Sequence, residues 1–244
     1  MKEFKINIVH LYPDLLNLYG DKGNIECLKK RLLWRNIDVE VKEFNGDAAD
    51  IDFDNTDIVF LGGGSDREQE IVCSRLMQVK DKLKVFSDNG GTIIALCGGF
   101  ELLGKAYGFP DDMTEALGLF DFKTVYPKDN TRLIGNVVIK CNDIESYVVG
   151  FENHAGRIDI GDKSPLGTVV KGFGNDGKGN VEGFVCKNVF ASYLHGPLFP
   201  KNPKLCDLIL SKTLKHKYAD FDVLPTLDDE IEDKANDFML KVLL

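Results

Sequence analysis

Among the residues of this 244-residue chain, Cys97 has the sequence surroundings that most clearly indicate a chemically reactive side chain. It follows the apolar run 92–96 and precedes Gly98 and Gly99, so a buried strand is predicted to turn directly into a helix. Such a turn places a side chain at the carboxyl edge of a parallel sheet, where open α/β sheets bind ligands. The helix N-terminus favours a thiolate, and glycines let backbone N–H groups approach a developing oxyanion. The pattern predicts a nucleophilic cysteine.

A thiol nucleophile needs a base, which is normally histidine, and the sequence contains four histidines. His195 ends the predicted strand 189–194 and precedes a turn, so we expect it at a sheet edge as well. His154 also ends a strand-like run and is the alternative base. We interpret His10, inside the first predicted strand, as a core or near-surface residue, and His216, between lysines on a predicted helix, as solvated.

Three consecutive glycines, Gly62 to Gly64, close the predicted strand 57–61. They could form a tight turn, because glycine adopts positive φ without strain. They could equally be a second loop of backbone donors at the edge that carries Cys97. The sequence shows neither the phosphate-loop pattern nor the Rossmann glycine pattern, so this loop is not predicted to bind a nucleotide. From the residues alone both interpretations stand.

The elements that must position these residues alternate between strand and helix up to residue 120. Strands are predicted at 6–12, at 39–42 on an edge, at 57–61 and at 92–96, with helices between them and after them. The helix after Gly64 is predicted to begin with a capping box and to continue until Asn89-Gly90-Gly91 stops it, and the helix after Cys97 to cover 101–107. Alternation of this kind favours right-handed crossovers and a mostly parallel sheet.

After residue 120 the pattern changes to strands separated by glycine-rich turns, with helical patterns returning at 203–217 and 227–243. We therefore expect an α/β fold with a flavodoxin-like core: a mostly parallel central sheet flanked by helices, and a strand-rich second half. Residues 1–244 are predicted to form a single domain.

Composition excludes several classes of protein. The chain has 30 Lys and Arg against 39 Asp and Glu, a net charge of −9, which argues against a nucleic-acid partner. Its uncharged runs are far shorter than the roughly 20 apolar residues that span a bilayer, and its start lacks a signal-peptide core. We expect a cytoplasmic protein with no transmembrane segment. The six cysteines show no metal-binding spacing, so we predict free thiols and no metal site.

Taken together, several segments resemble the class I glutamine amidotransferases, in the cobyric-acid-synthase-like branch. Within that branch the sequence is similar to the glutaminase subunits of lipid II isoglutaminyl synthases. The resemblance spans roughly residues 5 to 203 and includes the segments 16–24, 97–104, 132–135 and 193–197. The two segments that indicate the narrower branch are Gly62-Gly63-Gly64-Ser65-Asp66-Arg67-Glu68-Gln69 and Gly150-Phe151-Glu152-Asn153-His154.

This resemblance implies a role for each matched residue. Cys97 would attack the side-chain carboxamide of L-glutamine and form a glutamyl thioester with release of ammonia. His195 would activate Cys97 and pass a proton to the leaving ammonia. The backbone N–H groups of Gly63 and Gly98 would form the oxyanion hole. Arg132 would bind the substrate, since its planar guanidinium suits a carboxylate, although from its position alone it reads as a surface cation.

The sequence departs from the family pattern at two positions. Many class I amidotransferases carry Glu two residues after the catalytic histidine, and here that residue is Pro197. An acid that orients His195 must then come from elsewhere; Asp21 and Glu152 are the candidates, and each could equally be a loop-capping or solvated acid. The second departure is Glu101, where the branch commonly has Gln; its charge could repel a substrate carboxylate, or be harmless if it faces solvent.

The resemblance also implies partners. Ammonia would pass to a Mur-ligase-like (MurT-type) synthetase subunit, which would amidate D-glutamate of the lipid II stem peptide to D-isoglutamine in peptidoglycan synthesis. No cofactor is expected in this chain, since it has no ATP-binding motif; ATP and Mg are expected on the partner ligase, and lipid II would be reached through it. Three alternatives stay open: a glutaminase for corrinoid amidation, a non-catalytic amidotransferase-like binding subunit, and a cysteine hydrolase on the same fold.

Overall fold

The computed structural model describes residues 3–144 and 146–244, which form an α/β architecture with three sheets. The strands are β1 (Lys5–Leu11), β2 (Asp38–Phe44), β3 (Ile58–Leu61), β4 (Thr92–Leu96), β5 (Ala106–Phe109), β6 (Asp112–Glu115), β7 (Lys123–Val125), β8 (Leu133–Cys141), β9 (Ser146–His154), β10 (Arg157–Ile158), β11 (Gly167–Lys171), β12 (Val181–Glu182), β13 (Phe184–Cys186) and β14 (Val189–Ser192). The helices are α1 (Lys22–Leu33), α2 (Asp66–Leu76), α3 (Lys80–Asp88), α4 (Gly98–Leu102), α5 (Leu198–Lys201), α6 (Pro203–Lys217) and α7 (Glu230–Leu243).

The central sheet has six strands in the order β13-β14-β4-β3-β1-β2. Every neighbouring pair from β14 to β2 is parallel, and β13 alone runs antiparallel to its neighbour. This confirms the predicted mostly parallel sheet with β2 at its edge. The carboxyl ends of β3, β4 and β14 therefore meet at one edge of the sheet, where the predicted site residues lie.

Helices cover both faces of this sheet. Val72 of α2 and Leu83 of α3 are buried in the core on one face, and Leu28 of α1 and Ile209 of α6 in the core on the other. Because both faces are covered, the strands β3 and β4 are buried along their whole length, with no alternation of polar and apolar residues. This is why they appear in the sequence as continuous apolar runs.

The second half of the chain adds two four-stranded sheets, in the orders β10-β7-β5-β6 and β12-β11-β8-β9. The prediction of a strand-rich second half is confirmed. Strands β8 and β9 form a long antiparallel pair, from Leu133 opposite His154 to Cys141 opposite Ser146. This pair brings the segments around Arg132 and His154 to the edge of the central sheet at which β3, β4 and β14 end.

Two helix predictions differ from the structure. The helix predicted over 101–107 is wrong in its second half: α4 ends at Leu102 and the chain continues as β5. The reason is tertiary, since the N–H of Lys105 donates to Phe122 O at 2.8 Å. The helix predicted to continue until Asn89 begins with the expected capping box of Ser65 and Glu68 and ends at Asp88. It is divided into α2 and α3 by a 3₁₀ turn at Met77–Val79.

All six cysteines are free thiols, as predicted. The nearest pair is Cys27 and Cys206, whose sulfur atoms lie 4.0 Å apart, well beyond the length of a disulfide bond. None of the helices in the described part of the chain is both long enough and apolar enough to cross a membrane.

Candidate active site

Cys97 occupies the turn between β4 and α4 and has a φ of 52° and a ψ of −114°. A positive φ is unfavourable for a residue with a Cβ, and the sharp strand-to-helix turn of nucleophilic residues is one place where it occurs. The backbone N–H of Cys97 donates to Ser192 O at 2.8 Å, which ties this turn to the neighbouring strand β14. The structure thus contains the predicted strand–cysteine–helix turn.

Glycines surround the turn because side chains would not fit there. A Cβ on Gly63 would lie 2.9 Å from the Cβ of Cys97, and one on Gly98 would lie 2.6 Å from Oε1 of Gln69. The glycine loop after β3 therefore packs directly against the nucleophile, at a distance that only glycine allows.

The Cys97 thiol faces a small cavity at the carboxyl edge of the sheet. Cys97 itself is 8% exposed, and the cavity measures about 30 Å³, roughly the share of one water molecule. An amino-acid substrate can enter only after some of the surrounding side chains move. The other residues that line the cavity are Tyr19, Gly64, Asp66, Gln69, Gly98, Glu101, Tyr126, Arg132, His154 and Ala155.

Glu101 lies one helical turn after Cys97 and is 4% exposed. Its carboxylate accepts hydrogen bonds from Nε2 of Gln69 at 3.0 Å, from the hydroxyl of Tyr126 at 2.8 Å and from the hydroxyl of Tyr193 at 3.0 Å. Burial raises the pKa of Glu101, while these three donors oppose the rise. The carboxyl group at the family's Gln position is thus a buried acceptor in the cavity wall and does not face solvent.

The electrostatic surroundings of Cys97 disfavour its thiolate. Burial is the main cause of a raised thiol pKa, and the negative charges of Glu101 and Asp21 raise it further. The N–H of Gly98 and the charge of Arg132 act in the opposite direction. These surroundings favour the neutral thiol of Cys97 over its thiolate.

His195 follows β14, the strand next to β4. In the register of this parallel pair Ser192 lies opposite Leu96, so Cys97 and His195 both leave the sheet at the same edge. The backbone of His195 is fixed by Phe151 of β9, because the two residues exchange hydrogen bonds of 3.0 Å and 3.2 Å. The topology thus brings both predicted residues to one edge, as expected from the sequence.

The ring of His195 stacks on the ring of Tyr19, with centroids 3.7 Å apart, and Tyr19 is part of the cavity wall. Burial lowers the pKa of His195 to about 4, so the imidazole is neutral at physiological pH and can accept a proton. Its Nε2 is buried and has no hydrogen-bond partner within residues 3–144 and 146–244.

His154, the alternative base, also lies in the cavity wall. Its ring stacks on Tyr193 with centroids 3.6 Å apart, and its Nδ1 lies 2.8 Å from Gly156 O. Its Nε2 lies 3.5 Å from a carboxylate oxygen of Glu152. His154 is thus hydrogen-bonded through Nδ1, and its Nε2 faces Glu152; neither Nε2 of His154 nor Nε2 of His195 has a hydrogen-bond partner in the described structure.

Neither acid proposed to orient His195 is bonded to it in the described part of the chain. Oδ2 of Asp21 accepts the N–H of Gly63 at 3.0 Å, and Oδ1 accepts Nδ2 of Asn24 at 3.3 Å. Glu152 is fully buried, accepts the backbone N–H groups of residues 173 and 174, and faces His154. Stacking on Tyr19, described above, orients the imidazole instead.

The structure adds a candidate to the oxyanion donors expected from the sequence. The N–H of Gly63 is occupied by the buried carboxylate of Asp21, which needs a donor in the absence of water. The next residue, Gly64, lines the cavity, and its N–H has no hydrogen-bond partner among the described residues. Gly64 is therefore a further candidate for the second donor beside Gly98.

Arg132 lies at the exposed mouth of the cavity, immediately before β8. Its Nε donates to Oδ1 of Asn153 at 2.7 Å, and a terminal nitrogen donates to Asn153 O at 2.7 Å. Asn153 thus fixes the guanidinium group beside the cavity, where a carboxylate of a small ligand could reach it.

Sequence reasoning gave no role to three residues of the cavity wall, or to Tyr193, whose hydroxyl donates to Glu101 of that wall. Tyr19 and Tyr193 belong to segments that carry the resemblance, and their positions beside Gly20 and before His195 could have indicated them. Gln69 lies in the segment after the glycine loop, and Tyr126 has no signal in its surroundings. These four residues are Tyr19, Gln69, Tyr126 and Tyr193.

The fold and the cysteine turn define an α/β protein of the amidotransferase type. A solved glutamine amidotransferase superposes with a TM-score of 0.57 at 16% identity over 84% of this chain and 98% of that chain. The glutaminase domain of Trypanosoma brucei CTPS with bound acivicin gives 0.54 at 12% identity over 90% and 96%. At these identities the likeness concerns the fold. Residues 7–203 match the CobB/CobQ-like glutamine amidotransferase domain, and the chain belongs to that family.

Curated relatives show which members of the amidotransferase family the chain is similar to. It is 40% identical over 237 residues to the GatD subunit of lipid II isoglutaminyl synthase (glutamine-hydrolyzing) from Staphylococcus aureus, covering 97% of this chain and 95% of that protein. The GatD subunit from Streptococcus pneumoniae is 37% identical over 98% of this chain and 93% of that protein. A probable cobyric acid synthase from Methanococcus vannielii is 30% identical over 66% of this chain, which is 36% of that protein. The resemblance found in the sequence is confirmed.

Proposed function

We propose that this chain hydrolyses L-glutamine to glutamate and ammonia through a Cys97 thioester. We take residues 1–244 as one glutaminase domain that supplies the ammonia to a Mur-ligase-like synthetase subunit. The observation that carries the proposal is the cavity itself, in which the Cys97 thiol faces the backbone of Gly64 and Gly98, with Arg132 at the mouth. The two GatD relatives, which match almost the whole chain, support it.

In the first half-reaction His195 takes the thiol proton, and the sulfur of Cys97 attacks the side-chain carbonyl carbon of glutamine. The negative oxygen of the tetrahedral intermediate accepts the N–H groups of Gly64 and Gly98. The intermediate collapses with cleavage of the C–N bond, and His195 returns the proton to the leaving nitrogen. The products are ammonia and a glutamyl thioester on Cys97.

In the second half-reaction a water molecule attacks the thioester while His195 takes its proton. The same two backbone donors stabilise the second oxyanion. The C–S bond then breaks, His195 returns the proton to the sulfur of Cys97, and glutamate leaves. Throughout, Arg132 holds the α-carboxylate of the substrate at the cavity mouth.

The ammonia is then consumed by the partner, on which we place ATP and Mg. The partner amidates the α-carboxyl group of D-glutamate in the lipid II stem peptide, so this chain does not itself need to bind the lipid. This assignment rests on the relatives, which are named as subunits of a lipid II isoglutaminyl synthase.

The free chain should be a weak glutaminase. The cavity has room for about one water molecule, and the thiol and imidazole beside it are both neutral. Substrate binding and association with the partner must therefore open the cavity and favour the thiolate. This arrangement limits wasteful hydrolysis of glutamine when no partner is bound.

The test is co-purification with a Mur-ligase-like partner, followed by assay of D-glutamate amidation with either glutamine or ammonium chloride as nitrogen source. The wild-type complex should use both, whereas a Cys97→Ala complex should use ammonium chloride alone. Equal use of glutamine by the Cys97→Ala complex would disprove the thioester mechanism. Amidation of a corrinoid and not of lipid II would support the alternative synthetase, and absence of acivicin labelling of Cys97 would support a binding subunit.

A further inference from the structure

The strand that leads to His195 loses its partner strand shortly before the histidine. Strands β13 and β14 pair antiparallel from Cys186 opposite Val189 to Phe184 opposite Ala191. At Gly183 the φ is 74°, and the chain turns away into β12, which belongs to a different sheet. A Cβ at Gly183 would lie 2.6 Å from Ala191 O, so the turn requires glycine.

The carboxylate of Glu182 takes the place of the missing strand. Its Oε1 accepts the backbone N–H of Tyr193 at 2.7 Å and the hydroxyl of Ser192 at 2.8 Å. The oxygen of that hydroxyl in turn accepts the N–H of Leu194 at 2.9 Å. The two backbone N–H groups directly before His195 are thus held by one side chain and one hydroxyl, not by a strand.

The main chain beside Glu182 is itself fixed. Asn175 is fully buried, and its amide accepts the N–H of Gly183 at 2.7 Å and donates to Gly183 O at 2.9 Å. Glu182 is fully buried as well. The main chain that carries the Glu182 carboxylate is therefore rigid. A residue that positions other groups needs such a rigid attachment.

The segment that Glu182 holds connects both reacting residues. Ser192 O accepts the N–H of Cys97, and His195, three residues after Ser192, is bonded to Phe151. Between these two fixed points, the path of the chain is set by the bonds to Tyr193 and Leu194.

We propose that Glu182 is a positioning residue for the reaction: it replaces the end of strand β13 and fixes residues 192–194, so that His195 meets Cys97 in a productive geometry. The inference rests on the proposed function, because it concerns the same nucleophile and base. Glu182 does not line the cavity and acts only through the backbone.

The role of Glu182 requires a carbonyl-type acceptor and not a charge. Both hydrogen bonds go to Oε1, and Oε2 has no hydrogen-bond partner in the part of the chain that the structure describes. Burial, together with the neighbouring Glu152 of β9, raises the pKa of Glu182 to about 7. A glutamine at this position keeps the acceptor and the shape, so Glu182→Gln should rescue what Glu182→Ala loses.

The experiment compares three variants of the chain in complex with its Mur-ligase-like partner, with thermal unfolding measured for each. Glu182→Ala should lower kcat for glutamine hydrolysis by about 10- to 100-fold with KM changed less than about twofold, because a small displacement of a reacting group has effects of this size. Glu182→Gln should stay within about threefold of wild type. Thr213→Ala is the matched control, since Thr213 is a buried, hydrogen-bonded residue of α6 at the opposite edge of the sheet.

Thr213→Ala should lower the unfolding temperature and leave kcat unchanged. Unchanged kcat in Glu182→Ala, or the same loss of kcat in Thr213→Ala, would overturn the inference. If Glu182→Ala does not fold, Ser192→Ala decides in its place, because it removes the hydroxyl between Glu182 and Leu194: a lower kcat at unchanged KM supports the inference and an unchanged kcat refutes it.

A second readout separates this inference from the proposed function. The rate at which iodoacetamide alkylates Cys97 depends on proton removal from the thiol and needs neither glutamine nor the partner. Glu182→Ala should slow alkylation, and Glu182→Gln should restore it. If wild-type protein hydrolyses no glutamine, the proposed function fails. If it hydrolyses glutamine but Glu182→Ala matches wild type in both readouts, only the inference about Glu182 fails.

Discussion

The backbone N–H of Gly63 donates to the carboxylate of Asp21 at 3.0 Å, although 42 positions separate the two residues in the chain. On the other side of the same peptide unit, Gly62 O accepts the N–H of Gly99 at 3.1 Å. The orientation of this peptide is thus fixed at both ends. It holds the glycine loop against Cys97, and the next residue, Gly64, lines the cavity.

Replacing Asp21 by asparagine should change how stability depends on pH. Burial raises the pKa of Asp21 from 3.8 to about 6, so the ionised carboxylate is disfavoured in the folded state. Its contribution to stability is therefore fully present below pH 3.8, the pKa in the unfolded chain, and is lost as the pH rises through about 6. The wild type should lose up to about 3 kcal/mol relative to Asp21→Asn over this range. The free energy of unfolding, measured with urea at pH 4 and pH 7, checks this. The same change in that free energy between the two pH values for both proteins would contradict it.

Replacing either histidine by alanine should distinguish the two candidate bases. We expect His195→Ala to lower kcat for glutamine hydrolysis by about 100- to 10,000-fold, because both proton transfers are lost. His154→Ala should have a smaller effect, since Nδ1 of its ring is bonded to Gly156 O and its Nε2 faces the carboxylate of Glu152. Steady-state kinetics of the complex provide the measurement, and a larger loss in His154→Ala would reverse the assignment.

Adding one methyl group at Gly63 should disable the site. A Cβ there would lie 2.9 Å from the Cβ of Cys97, so Gly63→Ala must displace the nucleophile or the loop. We expect a fall in kcat of about 100-fold or more, together with slower acivicin labelling of Cys97. Gly46→Ala is the control, because its Cβ would meet only Phe44, at 3.5 Å. Normal labelling in Gly63→Ala would show that the loop does not pack on Cys97 as described.

Removing the charge of Glu101 should make the thiol more reactive. Glu101 is the largest electrostatic cause, after burial, of the raised pKa of Cys97. Glu101→Gln should therefore lower that pKa and speed alkylation of Cys97 by iodoacetamide at pH 8.5 by about threefold to tenfold. Glu26→Gln, at an exposed position of α1, should leave the rate unchanged. An equal or slower rate in Glu101→Gln would contradict the electrostatic account.

Much of the fold could be predicted because its signals are local. Buried parallel strands appear as continuous apolar runs, the capping box of Ser65 and Glu68 marks a helix start, and a cysteine between a strand and two glycines marks the turn at Cys97. Each of these depends on residues within a few positions of one another. The error at 101–107 came where a hydrogen bond to the distant Phe122 overrode the helical pattern.

The sequence by itself determined the strand–cysteine–helix turn at Cys97, the edge of the sheet on which it lies and the family to which the chain belongs. Only the tertiary structure decided which groups surround Cys97 and His195. Asp21 accepts the N–H of Gly63, Tyr19 stacks on His195, and Glu182 accepts the N–H of Tyr193. The physical reason is that a buried polar group must be bonded to whatever the fold places beside it. These partners are brought together by strand order and by the turn at Gly183, and no local pattern in the sequence encodes them.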